Sequence, residues 1–240
     1  MRCPGVDLVR HPAGATELVL LAHGGQEHSH ADPHLWRPAL LRMWPFAAVV
    51  RAAAPDAAVG FLRYRFRGWN DGGDAAVDLR TVLDELPPVI SRVWLIGHSM
   101  GGRAVVAAGD HPRVAGVLAL APWLPRDEPL VAMRGTVTFV HGADDTVTDP
   151  AGTAGYAARL RAAGVTVTTY SLAGEGHAML RRSQDWDRLV ADFVGQVPAG
   201  GGSEQLPEAG AQVARAIGGI ALARLRLPVK ERFRTTAQNG

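Results

Sequence analysis

The chain has 240 residues, 47% of them hydrophobic, and a formal net charge of +2, which is enough apolar material for one main domain with a substantial core. Its cations are arginines apart from Lys230, a bias that with the abundant Ala and Gly suits a GC-rich bacterial genome; six basic groups against three acidic ones in residues 199–240 confine the basic excess to the tail, leaving no general face for DNA or RNA. Cys3 is the only cysteine, which excludes an intramolecular disulfide or a cysteine metal cluster; the start MRCPGVDLVRHPAG lacks a secretory apolar stretch, and no run approaches the roughly 18 apolar residues of a membrane span, so a cytoplasmic protein is expected.

The first apolar run, Glu17–Ala22, ends at His23-Gly24-Gly25-Gln26. His28, His30 and His34 with Asp32 follow, and without a second ligand set they read as a loop, with no metal expected. Ala58–Tyr64 is the next strand, leading into Arg67-Gly68-Trp69-Asn70 and a helical stretch, Ala75–Leu86. Arg92–Gly97 then leads through His98-Ser99-Met100 into the helix-like GGRAVVAAG. Val114–Ala121 precedes Pro122-Trp123, and Thr136–His141 precedes Gly142-Ala143-Asp144-Asp145 and a helix over Thr153–Ala163. Val165–Leu172 is the last strand, followed by Gly174 to His177 and a helix over Asp185–Val194. Strands alternating with helices, and apolar along nearly their whole length, predict an α/β fold with a mostly parallel sheet covered on both faces. In such a sheet the active groups collect at the loops leaving the carboxyl ends of the strands.

The main domain is expected to cover residues 1–197. Residues 198–240 open with PAGGGSEQLPEAG, which reads as a linker. A basic helical or disordered tail follows, with a helix over Ala209–Leu227 stopped by Pro228 and weakened by Gly218-Gly219.

Gly97-His98-Ser99-Met100-Gly101 matches G-x-S-x-G, a sharp strand-to-helix turn that lifts a serine hydroxyl above the sheet edge. A serine hydroxyl is a weak nucleophile, so it needs a histidine to take its proton and a carboxylate to orient that histidine. HGADD offers Asp144 and Asp145, with Asp149 more distant. His177, in GEGHAML, is the histidine placed on a glycine-flanked loop past the last strand; His98, His111 and His141 fit the task less well. The N–H of Met100 and that of Gly25, with Gln26 as the alternative, supply an oxyanion hole. Gln26, Trp123 and Met179 are candidates for contact with substrate.

AHGG, GHSMGG, HGADD and GEGH, in that order over residues 16 to 197, resemble the α/β-hydrolase superfamily. YRFRGWN adds a likeness to its compact carboxylesterase and dienelactone-hydrolase-like members, although dienelactone hydrolases proper use a cysteine nucleophile where this chain has Ser99. The resemblance implies a triad of Ser99, Asp145 and His177, with Asp145 preferred over Asp144 from its three-residue offset after Gly142. It implies a serine hydrolase of carboxylic esters or thioesters acting through an acyl-enzyme, with no cofactor. Too few residues precede Glu17 for the superfamily's early strands, which predicts a sheet shortened at that edge. The connection of about fourteen residues before Thr136 is too short for a cap domain. Acyltransferase, peptidase or carbon–carbon hydrolase chemistry on the same triad, or a non-catalytic binding protein, are the other readings, since a fold alone does not choose among them. A small-molecule substrate is the expected partner, and a homodimer is left open.

Overall fold

A computed structural model describes residues 3–33 and 38–195, together with the backbone of 202–206 and 231–232. Seven strands are ordered along the chain as β1 (Gly5–Arg10), β2 (Glu17–Ala22), β3 (Ala58–Arg63), β4 (Arg92–His98), β5 (Val114–Leu120), β6 (Thr136–Gly142) and β7 (Val167–Leu172). The helices are α1 (Pro38–Ala53), α2 (Asp74–Glu85), α3 (Met100–Ala107), α4 (Pro150–Ala162) and α5 (Ser183–Val194). Two short strands, β8 (Gly202–Leu206) and β9 (Glu231–Arg232), extend the edges, giving the order β8-β7-β6-β5-β4-β2-β3-β1-β9.

From β7 to β3 every pairing is parallel, because crossovers return the chain to the same end of the sheet, through a helix everywhere except between β5 and β6. The strands are near-continuous in Val, Leu and Ile because both of their faces are covered. One face packs Leu18, Leu20, Leu95, Val117 and Phe139 under α2, α3 and α4. The other packs Val19, Leu21, Ile96, Leu118 and Val140 against Met43 and Phe46 of α1 and Trp186 and Val190 of α5. Register sets the carboxyl ends nearly level: Ala22 pairs Gly97, His98 pairs Leu120, and Gly142 pairs Leu172. The chain leaves β2 for β3 on one side and returns to β4 on the other, so the loops after β2 and β4 diverge and open a crevice at that edge.

Ahead of Glu17 the sheet carries a single strand, Gly5–Arg10, paired antiparallel with β3, Val6 opposite Leu62. Two features depart from the sequence reading. The helix α1 had no counterpart, since PALLRMWPFAAVVRAA carries Pro45 inside it and too little polar contrast to set a helical period. Finally, Gly202–Leu206, inside the stretch read as linker, runs parallel to β7 with Tyr170 opposite Glu204. The helix expected over 209–227 lies outside the described residues. Residues 121–135 contain no helix or strand, and no cap domain is present among the described residues.

Candidate active site

Ser99 sits between β4 and α3 with φ 57° and ψ −119°, a backbone conformation that only a well-braced turn holds on a residue with a side chain. The bracing is visible in its hydrogen bonds. Ser99 N–H donates to Leu120 C=O at 3.1 Å, and Ser99 C=O accepts from Arg103 and Trp123 N–H, each at 3.1 Å. The flanking glycines are there for clearance: a Cβ on Gly97 would run into the carbonyl of Gly101, and one on Gly101 into that of Ala22.

Asp145 and His177 meet over the neighbouring strand ends. His177 Nδ1–H donates to Asp145 Oδ2 at 2.8 Å, which leaves Nε2 as the nitrogen able to accept a proton. Asp145 is buried, and its other acceptor capacity is filled by main-chain N–H groups of Val147 (2.8 Å) and Thr148 (3.0 Å), the Thr148 hydroxyl (2.9 Å) and His141 Nε2 (3.1 Å). Burial favours the neutral carboxyl, but hydrogen bonds from His141, Thr148, His177 and Val147 outweigh it and hold Asp145 well below the usual carboxylate range. His141 is itself fixed, its Nδ1 accepting from Thr153 Oγ1 of α4 at 2.8 Å. Of the other two carboxylates in this stretch, Asp144 is exposed near Arg181, and Asp149 caps α4 by accepting from Ala151 N–H at 2.9 Å.

The His177 loop is anchored from below by Glu175, which is 1% exposed. Its carboxylate accepts from the N–H of Gly176 (2.8 Å), the N–H of Arg182 (2.7 Å) and Trp186 Nε1 (3.1 Å). His98 lies against the other side of the loop, its ring centroid 4.6 Å from that of His177 and its Nε2–H donating to His177 C=O at 3.0 Å. Thus the residue before Ser99 touches the imidazole loop directly, although no hydrogen bond joins Ser99 Oγ to His177 among the described residues. Burial, reinforced by the charges of His177 and Arg42, pushes His98 well below its ordinary value, so it stays neutral. His177 is lowered by burial and by Arg42 and His141, partly offset by Asp145.

Arg42 projects its charge into the site from α1, and its effect is testable. A base must be neutral to accept a proton, so the acid limb of a kcat/KM profile follows the pKa of His177. Removing a cation that lowers this pKa raises it. Arg42→Met is therefore expected to move the acid limb to higher pH in a stopped-time pH profile, and an unmoved limb would show that the guanidinium does not reach the imidazole.

The loop after β2 is zipped to the loop after β3. Gln26 N–H donates to Arg67 C=O (3.1 Å), Trp69 N–H to Gln26 C=O (2.8 Å) and Asn70 N–H to Glu27 C=O (2.8 Å), while Asn70 Oδ1 accepts from Ser29 N–H (2.8 Å). Gly25 packs so closely on Arg67 C=O and the Met100 side chain that a Cβ there has no room. Gln26 N–H is committed to Arg67, whereas neither Gly24 nor Gly25 N–H donates to another described group, and Met100 N–H, first in α3, has no carbonyl within its helix. Gly24 lies next to the nucleophile turn, the position of a Cβ on it being 3.2 Å from Ser99 Cβ.

The remaining candidates divide. Trp123 is half-buried beside Ser99, and Gln26 is exposed with its main chain engaged. Met179 does not face an open pocket: at φ 58° and 4% exposure it packs with Trp186 and Leu189, because the turn after His177 directs its side chain into the core. His111 lies at the far end of α3, 3.1 Å from Asp84. His28 is near Glu27 and Asp71, at 3.7 Å from each, and His34 lies outside the described residues. Sequence reasoning passed over His141, Thr148 and Glu175. Only the spacing His141-x-x-x-Asp145-x-x-Thr148 hinted at the first two, and nothing local marks a buried glutamate.

This sheet, with its strained serine turn and aligned loops, has the α/β-hydrolase fold. Similar solved structures include the esterase PE8, 17% identical and covering 80% of this chain and 100% of its own at a TM-score of 0.56. XC6422 from Xanthomonas campestris, an α/β serine hydrolase without a lid, is 18% identical over 82% of this chain and 90% of its own, with a TM-score of 0.58. The esterase Pf2001 of Pyrococcus furiosus is 15% identical over 76% and 84%, with a TM-score of 0.59. No protein-family model matches the chain, and no curated protein matches its sequence.

Proposed function

We propose that the chain is a serine hydrolase that transfers the acyl group of a carboxylic ester or thioester to water. The observation that carries this reading is the hydrogen bond of 2.8 Å between His177 and the buried Asp145, held at the same sheet edge as the strained Ser99. Ser99 Oγ attacks the carbonyl carbon as its proton passes to His177 Nε2, and Asp145 stabilises the resulting imidazolium. The N–H groups of Gly25 and Met100 receive the oxyanion. Collapse breaks the bond to the alcohol or thiol, which leaves with the proton from His177. Water then attacks the acyl-enzyme, giving its proton to His177, and the second collapse releases the acid and returns that proton to Ser99. The serine–imidazole contact is one that tightens when substrate fills the site.

The test is a panel of one acyl group presented as p-nitrophenyl ester, alkyl thioester and p-nitroanilide. Esters and thioesters are expected to turn over with a burst of leaving group and the anilide to lag far behind. Failure of both acyl-oxygen and acyl-sulfur cleavage, or faster cleavage of the anilide, would reject the reading.

A further inference from the structure

Beside Ser99 stands a group of side chains that the chemistry above does not use. Trp123 follows β5 and Trp69 follows β3, whereas Ser99 and Gly25 follow β4 and β2, which lie between those two strands in the sheet. β5 and β3 are three strand spacings apart, about 14 Å. Yet the two indole rings approach to 6.3 Å between centroids, edge to face at 82°. They therefore reach toward each other across the front of the serine turn. Trp123 is tied to that turn through the main chain, its N–H donating to Ser99 C=O at 3.1 Å, and Trp69 to the loop after β2, its N–H donating to Gln26 C=O at 2.8 Å.

Arg103 locks the pair. It lies one helical turn beyond Ser99, and since helical side chains lean toward the N-terminus of their helix, its guanidinium lies back over that turn. Its Cζ sits 4.1 Å from the Trp69 ring centroid and 4.6 Å from that of Trp123. Glu128, buried at 6% exposure, neutralises it through a 2.7 Å contact from Arg103 Nη2. The guanidinium is thus stacked and charge-balanced, which makes it a brace for the rings and a poor attractor for an anionic substrate. Both tryptophans are part-buried and keep some accessible surface.

We infer that Trp69 and Trp123 form the wall that receives the acyl group, and that the preferred substrates are esters of acids carrying an aromatic or comparably bulky apolar group. This rests on the hydrolase reading. The assignment to the acyl side follows from the direction of the leaving group, which must depart toward its proton donor, His177, on the β7 side. The acyl group stays on the other side of Ser99, where the indole pair stands. A flat ring set against two fixed indoles gains offset or edge-to-face contacts that an acetyl group cannot make.

The experiment compares p-nitrophenyl phenylacetate with p-nitrophenyl acetate, which share a leaving group, in the native chain and in Trp69→Leu, Trp123→Leu and Trp123→Phe. The kcat/KM ratio is read within each protein, so a general loss of activity does not enter it. The native ratio is expected to favour phenylacetate by about tenfold or more. It should fall toward one in both leucine variants and persist in Trp123→Phe. A native ratio near one, or a ratio that neither leucine variant changes, overturns the wall. Hydrolysis of neither ester by the native chain overturns the hydrolase reading and this inference with it, whereas equal hydrolysis of both overturns this inference alone.

Discussion

Ser99→Ala is expected to lower kcat for p-nitrophenyl esters by about 10⁶-fold, the loss seen when the nucleophile is removed from such a relay. The residue has one replaceable atom of interest, and its backbone geometry is what the fold maintains. With φ 57° stabilised by Leu120, Arg103 and Trp123 main-chain contacts, alanine keeps the turn and loses only the oxygen. KM should therefore change little, while the acyl-enzyme burst vanishes. Activity within an order of magnitude of native in a purified Ser99→Ala protein would mean that another group attacks the carbonyl.

The second large effect is at Asp145. Asp145→Asn is nearly isosteric, and Val147 and Thr148 N–H groups can still bond its amide oxygen. The amide nitrogen, however, would face His177 Nδ1 where a carboxylate oxygen now accepts at 2.8 Å, favouring the imidazole tautomer with its proton on Nε2. That tautomer cannot take the serine proton, and the imidazolium loses its counter-charge, so kcat should fall by about 10⁴-fold. Asp144→Asn is the paired control. Asp144 is exposed, with only a 4.0 Å approach from Arg181, an arrangement that contributes little, and its substitution should leave kcat/KM close to native. Reversed sensitivities of the two aspartates would assign the orienting role to Asp144.

What the sequence made legible was whatever depends on neighbours along the chain. The strand runs from Glu17 to Leu172 are mostly apolar segments, and the serine turn announces itself through the glycines that its close backbone approaches demand. Asp145 and His177 could be expected at one edge because each lies in the loop following a strand whose carboxyl end the parallel topology brings there. The contacts that hold them were less legible. His141 touches Asp145 from the end of β6 at a spacing that only hints at the contact, whereas Glu175 grips α5 through Arg182 and Trp186 and Arg42 acts from α1, partnerships that depend on tertiary approach. Helix α1 escaped notice for a different reason, since a helix packed on several sides loses the polar stripe that periodicity detects. For Met179, spacing gave its nearness to His177 but not the positive φ that turns it inward.

The measurement closest to the central claim is labelling of the native chain with a fluorophosphonate, followed by mass spectrometric mapping of the adduct. A single phosphonyl group on Ser99, formed more slowly at pH values that protonate His177 and absent in Asp145→Asn over the same interval, is the predicted result. A stoichiometric adduct on a different residue, or none on Ser99 in folded protein, would contradict it.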